Sequence, residues 1–392
     1  MTAAARSIAA VPGVRVRWRM GVEGRALSIL TLAMCCFGLA VLYSASALSA
    51  MHEGHESWYY LVRQVQGMAI GAVAFAAGAK IDADRWRKWA WPVMLCTIVL
   101  LLVPILPFTT HIAPRIHGSR RWVNVGFAFQ PSELAKLSVV IWSAMLVVKK
   151  GDQMRRLTKG VLPFLVVIGL LDVLVVLEPD LSQAMAYTLM LGIILFAGGL
   201  RVGHVVMLSA LAVPVLWKEV SHFQYALMRM MSFPVPGKEV TEINFQLRQS
   251  LIAVGSGGFF GKGFGEGYQQ NGFLPFPYND FIGGNIGEEW GFLGLLLVTT
   301  AFALYCWLGF RIARGARSPF LKLAAIGLTA TVVITAYLHI GVVIGLLPTT
   351  GLTLPFFSYG RTNLVLSMLM TGILANIGSE RVKVFGEQAT EV

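Results

Sequence analysis

The chain has 392 residues, of which 56% are hydrophobic and 13% charged, and its formal net charge is +12 at pH 7. A soluble domain carries about a quarter charged residues, so these charges are too sparse to cover a water-facing surface. The composition excludes an ordinary soluble domain and predicts an integral membrane protein with an all-α fold, a polytopic bundle of transmembrane helices.

Apolar stretches of about 20 residues, the length that crosses a bilayer, recur along the chain. The ten predicted spans are 26–47, 59–79, 89–107, 132–148, 161–177, 182–200, 203–217, 281–310, 323–346 and 361–379. Residues 26–380 therefore form a single membrane domain. The basic segment 1–25 lacks a short apolar core with a cleavage site, so we interpret it as a cytoplasmic tail and not a signal peptide. Residues 381–392 form a second cytoplasmic tail.

The distribution of Lys and Arg predicts the orientation of the bundle. Ten spans put both termini on one side, and most Lys and Arg residues then fall in short loops on that side, which the positive-inside rule assigns to the cytoplasm. These charges meet lipid head groups and do not indicate a nucleic-acid partner. The outer face receives the long segments 108–131, about 218–280 and 347–360. Part of the longest is expected to fold back into the bundle, with an amphipathic helix near 241–254.

Cysteine and histidine give no sign of a structural metal. The four cysteines lie in apolar runs without metal-ligand spacing, and we interpret them as buried small hydrophobic residues. His339 in span nine is expected to be a hydrogen-bonded packing residue. A catalytic divalent cation, Mg or Mn, shared with a substrate phosphate stays open, since Mg²⁺ typically needs only one or two carboxylates.

Three acids lie in the apolar, glycine-rich stretch FLPFPYNDFIGGNIGEEWGFLG, residues 273–294. Asp280 ends the outer loop at the mouth of span eight, where partial desolvation makes a carboxylate a proton acceptor. It could equally serve as the N-cap of that span. Glu288 and Glu289 are expected about two turns into the helix, with a structural or tuning role through pairing with cations of the bundle or snorkelling.

Basic residues on the predicted outer face could hold an anionic ligand. Arg120 and Arg121 are adjacent, and two guanidiniums can grip a phosphate or pyrophosphate; alternatively they hold lipid head groups or steady the loop. Lys262 lies in the loop GSGGFFGKGFGEG, which could form an anion-binding nest or simply be flexible. The loop lacks the ending of a nucleotide-binding Walker motif.

Two further charged groups are interpreted as structural. Glu133 and Lys136 share one helix face inside span four and are expected to form a buried ion pair, although Lys136 could also face an anionic ligand. In LEPDLSQ, residues 177–183, Glu178 lies in a turn in which Pro179 ends one helix. Asp180 is expected to cap the next one.

Five stretches in order resemble the SEDS family (shape, elongation, division and sporulation), which comprises membrane polymerases of bacterial peptidoglycan. They are GSRRWVNVGFAFQPSELAKL, EPDLSQA, FQLRQSLIAVGSGGFFGKGFGEG, NDFIGGNIGEEWGFLG and GLLPTTGLTLPFFSYG. The resemblance covers about residues 26–380. The form LPTTGLTLPFFSYG is more similar to the division members of the family than to the elongation members.

The resemblance implies a peptidoglycan glycosyltransferase that polymerises lipid II through β-1,4 linkages in septal cell-wall synthesis. Asp280 matches the family's essential acid. A polar cavity that receives substrate is implied for Arg120, Arg121, Gln130, Glu133 and Lys136, with Lys262 and Ser358 as further substrate contacts. The implied partners are a class B penicillin-binding transpeptidase and other divisome membrane proteins. Two other functions stay open: a transporter that moves lipid II across the bilayer, and a membrane scaffold for the transpeptidase.

The chain departs from the family pattern at four places around the implied site. Phe276 and Asn279 replace a usual Glu and Thr ahead of span eight, Arg361 follows the SYG motif, and His339 stands where Asn is usual. These changes touch the lining of the implied site, so they bear on the strength and specificity of the activity.

Overall fold

The computed structural model describes residues 14–115, 119–124, 126, 128–201, 203–204 and 242–385. This part of the chain contains eleven α-helices and four short strands. In chain order they are β1 (Val14–Met20), α1 (Val22–His52), α2 (Tyr59–Lys80), α3 (Asp84–Ile105), β2 (Val123–Asn124), β3 (Ala128–Phe129), α4 (Pro131–Lys150), α5 (Leu162–Leu177), α6 (Leu181–Ala197), α7 (Glu242–Gly257), α8 (Ile282–Glu289), α9 (Gly291–Arg314), α10 (Pro319–Val343), α11 (Arg361–Ile377) and β4 (Ser379–Phe385).

The helices confirm a multi-pass membrane protein. Seven of them, two extended by adjoining helical turns, are long and apolar enough to cross a membrane, and α6 is a shorter apolar helix. Eight of the ten predicted spans each coincide with one described helix, and the tenth predicted span is α11, with 17 residues. The predicted seventh span, 203–217, lies outside the described residues apart from 203–204.

The predicted eighth span is wrong as a single helix. The segment 281–310 forms α8 and α9, which are separated at Trp290. Gly291 adopts a φ of +64°, in the left-handed region that favours glycine. Phe292 then donates its backbone N–H to Gly258 O at 2.9 Å, so a distant loop satisfies the backbone at the break. Apolar residues continue across this turn, so the hydropathy of the sequence did not predict the break between the two helices.

The two ends of the chain pair with each other. β1 and β4 form an antiparallel ribbon that runs from Val14 opposite Phe385 to Met20 opposite Ser379. A second small ribbon pairs β2 with β3. The predicted all-α fold is therefore correct for the bundle but omits these two ribbons. In β1 the alternation of Val and Arg in VRVRWRM has the two-residue period of a strand.

The membrane helices alternate in direction, so several short loops lie at the same end as the β1–β4 ribbon. We call this the basic end; it includes the loops 81–83, 151–161 and 315–318. Ion pairs connect its parts, since Arg311 Nη2 lies 2.9 Å from Glu23 Oε1 and Arg317 Nη2 lies 3.0 Å from Asp82 Oδ1. The loop that carries Asp280 lies at the opposite end.

Helices α4 and α10 form the centre of the bundle, with most of their side chains buried inside the protein. Around them, α2 and α11 pack closely through glycines. A Cβ at Gly67, Gly71 or Gly78 of α2 would meet atoms of α11, as expected for membrane helices that associate through small residues. This contact fixes α2 against the start of α11, where the functional site begins.

All four cysteines are free thiols, as predicted. Cys35 is buried and Cys306 half-buried, but Cys36 and Cys96 are exposed on the outside of the bundle. The prediction of burial is wrong for these two, because an apolar position on a membrane helix can face lipid as well as protein.

The predicted amphipathic helix near 241–254 is confirmed as α7. It packs against the bundle, where Ser250 Oγ donates to Val343 O at 3.0 Å. Residues 242–280 therefore fold back onto the helices, as predicted. The first part of the long segment, 218–241, lies outside the described residues.

Candidate functional site

Asp280 is half-buried and lies directly before α8. Helix α8 begins at Ile282, and its N-cap is Phe281. The interpretation of Asp280 as the N-cap is therefore wrong, since the helix begins one residue too late for it. We call residues 276–280 the acid segment, and its position depends on two other parts of the bundle.

The first support is the turn before α11. Ser358 is buried; its Oγ donates to Asn279 O at 2.7 Å and accepts the Leu354 N–H at 2.9 Å. Tyr359 N donates to Tyr278 O at 2.9 Å. The sequence FFSYG thus binds the backbone of the acid segment directly. Ser358, predicted as a substrate contact, is placed where it positions the residue next to Asp280.

The second support is helix α2, through a cluster of three tyrosines. Tyr60 stacks on Tyr278 with ring centroids 4.5 Å apart, and its ring edge meets Tyr359 at 5.0 Å. The Tyr60 hydroxyl donates to Glu53 Oε2 at 2.6 Å and accepts from Tyr278 Oη at 3.2 Å. Burial raises the pKa of Tyr278, so this hydroxyl stays protonated at neutral pH.

Gln64 of α2 completes this support. Its Nε2 donates to Ser358 O at 3.0 Å, and its Oε1 accepts the Gly360 N–H at 3.2 Å. Because Gln64 is fully buried, both hydrogen bonds form out of contact with water and fix the start of α11. The acid segment is therefore held by α2 and by the turn before α11 together.

Glu288 and Glu289 lie at the end of α8, not in the middle of a long helix. Glu288 is completely buried and accepts from Lys262 Nζ at 2.6 Å and from the backbone N–H groups of Tyr268 and Gln269, both at 2.9 Å. Glu289 accepts from Ser44 of α1. Both acids thus connect elements of the structure, in line with the structural role predicted for them.

The glycine-rich loop is docked by these bonds. Lys262 N donates to Glu288 O at 3.0 Å and Gly263 N to Glu289 O at 3.1 Å. The interpretation of this loop as simply flexible is therefore wrong. Lys262 itself is engaged by Glu288, and only about a third of its side chain remains exposed.

A separate polar group lies at the turn between α5 and α6. Asp180 caps α6 by accepting the Gln183 N–H at 3.4 Å, as predicted. Arg121 Nη1 lies 3.4 Å from Asp180 Oδ2, and Arg121 Nε donates to Glu178 O at 2.9 Å. Burial raises the pKa of Glu178 to about 9 and also raises that of Asp180, against the attraction of Arg121.

The buried ion pair predicted in span four is confirmed. Lys136 Nζ lies 2.7 Å from Glu133 Oε2, with both side chains almost completely buried. Gln183 Nε2 donates to Glu133 Oε1 at 3.0 Å, so the pair also joins α4 to α6. Lys136 therefore offers a cation that is already partly neutralised by Glu133.

Arg120 and its neighbour Arg121 have different partners in the structure. Its Nη1 donates to Leu106 O at 3.3 Å, and its Nη2 is buried without a hydrogen-bond partner among the described residues. The joint binding of one phosphate by the two guanidiniums stays a prediction. Gln130 is connected to α11, because its backbone N–H donates to Thr362 Oγ1 at 3.1 Å. The start of α11 thus contacts both polar regions.

His339 is a buried packing residue, as predicted. Its Nδ1 lies 2.8 Å from Leu352 O, and Gly283 N donates to its Nε2 at 3.4 Å. These contacts assign the proton to Nδ1 and join α10, the 347–360 segment and α8. Among the described residues, no group of three or more His, Cys, Asp or Glu side chains is placed to hold a metal ion.

Four residues that position the site were not predicted: Tyr60, Gln64, Tyr278 and Tyr359. Tyr278 and Tyr359 lie inside motifs already singled out, adjacent to Asn279 and Ser358. Tyr60 and Gln64 are four residues apart and so share a face of a predicted helix. A polar face on an otherwise apolar span was the signal that could have found them.

The fold and the site define a helical membrane protein in which the loop acid Asp280 is held by α2 and the turn before α11. The chain belongs to the family of cell cycle proteins that comprises FtsW, RodA and SpoVE, whose family model matches residues 25–383.

Relatives support this assignment over almost the whole chain. The probable peptidoglycan glycosyltransferase FtsW of Trichlorobacter lovleyi is 35% identical, with 93% of this chain and 96% of the relative covered. The stage V sporulation protein E of Bacillus subtilis is 34% identical, with 90% and 95% covered. A solved chain from a peptidoglycan synthase complex that coordinates polymerization and crosslinking is 26% identical, with a TM-score of 0.73 and coverage of 90% and 96%.

Proposed function

We propose that this chain is a peptidoglycan glycosyltransferase that polymerises lipid II into β-1,4-linked glycan strands during septal wall synthesis. The observation that carries the proposal is the fixed placement of the acid segment. Ser358 and Tyr359 hold the backbone of Asn279 and Tyr278, so the carboxylate of Asp280 follows a rigid support at the edge of the bundle. A catalytic group needs such support to keep its geometry.

Asp280 acts in this proposal as a general base. It takes the proton of the 4-hydroxyl of the acceptor sugar while that oxygen attacks the anomeric carbon of the donor. The new C–O bond forms as the bond to undecaprenyl pyrophosphate breaks, and the α-linkage is inverted to β. One base and a good leaving group are sufficient for this displacement.

The polar region at α4 and α6 supports binding of the leaving pyrophosphate. Arg120 keeps a guanidinium N–H without a partner among the described residues, and Lys136 lies nearby in the sequence on α4. A cation next to developing negative charge lowers the barrier. Arg121 is engaged by Asp180 and by backbone carbonyls, so we assign it the role of steadying the turn that borders this region.

The proposed displacement needs no protein-bound divalent cation for its proton transfer. The described residues bring no group of three carboxylates or imidazoles together, so Mg or Mn would be bound mainly by the substrate's own phosphates, with one or two carboxylates of the protein.

We further propose that the basic end faces the cytoplasm and that the acid segment faces the outside. The Lys and Arg residues of the short loops support this orientation. In a cysteine-free background, E266C at the opposite end should react with an impermeant thiol reagent in whole cells, and K322C at the basic end should react only after permeabilisation. The reverse pattern would contradict the orientation.

A class B penicillin-binding transpeptidase and other divisome membrane proteins are the proposed partners, and the first is supported by the structural similarity to a synthase complex. The test of function is to incubate purified protein and transpeptidase with labelled lipid II in liposomes. Labelled glycan strands are expected. Transfer of lipid II across the bilayer without polymer would instead indicate a transporter, and absence of both would indicate a scaffold.

A further inference from the structure

A cleft of about 420 Å³ lies at the basic end of the bundle, far along the helices from the acid segment. It is formed by the beginning of α3, the end of α4, the following turn and the beginning of α5. Its lining residues are Trp91, Trp142, Leu146, Lys149, Lys150, Gln153, Pro163 and Val167. None of these residues takes part in the proposed catalysis at Asp280.

The polar side of the cleft is cationic. Lys149 is exposed, and Lys150 Nζ donates to Lys159 O at 2.7 Å, which leaves its other protons available. Neither lysine belongs to an ion pair among the described residues, and none of the lining residues is acidic. The one acid in the adjoining turn, Asp152, is exposed and does not line the cleft. The site therefore selects an anion.

The other side of the cleft is a rigid aromatic wall. Trp91 meets Trp142 edge to face with ring centroids 5.6 Å apart, and Trp142 meets Phe164 in the same way at 5.5 Å. Trp91 is half-exposed, and the neighbouring helices present apolar side chains outward, among them Leu95 of α3 and Val166 of α5. Indole rings favour the depth of the lipid head groups, so an apolar chain can leave the cleft along these helices.

We propose that this cleft binds the head group of an anionic glycerophospholipid, such as phosphatidylglycerol, from the leaflet at the basic end. The two lysines contact its phosphate, Gln153 hydrogen-bonds the glycerol head, and Trp91 packs on the upper acyl chain. Cationic clefts between membrane helices on the cytoplasmic side are suited to this ligand class. The inference is independent of the catalytic role of Asp280.

The test uses the complete protein in phosphatidylcholine nanodiscs that contain a minor fraction of lipid brominated near the head of its acyl chains. Brominated phosphatidylglycerol should quench tryptophan fluorescence more than brominated phosphatidylcholine does. We call this difference the excess quenching, and W91F should remove most of it. In K149Q/K150Q the affinity for phosphatidylglycerol should fall by about twenty-fivefold, since each lysine near the head groups contributes about fivefold.

K322Q is the matched control, because Lys322 is an exposed lysine of the basic end outside the cleft. It should keep the excess quenching. Equal quenching by the two lipids, or an equal loss in K322Q, would overturn the proposal in favour of general surface charge. Loss of the excess on addition of inorganic phosphate would indicate a phosphate site instead of a lipid site. Melting temperatures of all variants in detergent show that they remain folded.

Discussion

Glu288 offers the sharpest test of how the loop 258–270 is held against the bundle. The carboxylate is completely buried, and four groups donate to it: Lys262 Nζ, the backbone N–H groups of Tyr268 and Gln269, and Ser256 Oγ. In E288Q the amide has only one oxygen. Whichever way it turns, its NH₂ group faces at least one backbone N–H that then loses its acceptor.

The expected loss of stability in E288Q follows from the hydrogen bonds that the substitution removes. A buried donor left without a partner costs about 1–3 kcal/mol, and hydrogen bonds to a charged group contribute about 1.5–3 kcal/mol each. E288Q should therefore destabilise the docked loop by about 2–4 kcal/mol. The assay is thermal unfolding in detergent, combined with hydrogen exchange of the amides in 258–270, whose protection should fall before that of the membrane helices.

Two variants control this prediction. E266Q changes an exposed acid of the same loop and should leave both readouts unchanged. K262M/E288Q should be less destabilised than the sum of the two single variants, because both single changes remove the same ion pair between Lys262 and Glu288. Wild-type stability and protection in E288Q, or an equal effect in E266Q, would refute the role assigned to Glu288.

Three further predictions concern other parts of the structure. Burial raises the pKa of Glu178 to about 9, so the folded state holds this proton more tightly than the unfolded state. The free energy of unfolding should therefore fall as the pH rises from acid towards about 9, by at most about 1.4 kcal/mol per pH unit. E178Q should show a smaller fall in melting temperature over that range. S358A loses the hydrogen bonds to Asn279 O and Leu354 N, so it should be destabilised by about 1–3 kcal/mol and should show faster hydrogen exchange in 276–280. G291A must place an alanine at a φ of +64° against the backbone of a neighbouring loop and should lose about 1–3 kcal/mol or more. G315A, at a φ of −82° where a Cβ would make only ordinary contacts at 3.8 Å, should melt like the wild type.

The long apolar runs made the helices predictable, because the bilayer requires about 20 such residues for each crossing. The break at Trp290 and Gly291 was not predictable in this way. It depends on backbone hydrogen bonds from 258–263, which are distant in sequence and carry no pattern of their own.

The candidate site was also only partly predictable from the sequence. Asp280 was found because it is an acid within an apolar motif, and Ser358 through the family resemblance of its motif. The contact between their two segments was not predicted, because it is made by the main-chain groups Asn279 O and Tyr359 N. Main-chain hydrogen bonds cannot be recognised from the residue types in a sequence. Arg121 was interpreted as a ligand contact or as a residue that holds lipid head groups or steadies its loop. The structure engages it with the turn at Asp180, a long-range contact that local sequence cannot specify.

The role of Asp280 can be measured by comparing initial rates of lipid II polymerisation by D280N and wild type, each purified with its transpeptidase. Removal of a general base costs about 10²–10⁴ in rate, so D280N should form almost no glycan while its melting temperature and its binding to the transpeptidase stay those of the wild type. E266Q, the exposed acid in the same loop, should polymerise normally. A folded D280N protein that makes glycan strands at near the wild-type rate would contradict the proposed mechanism.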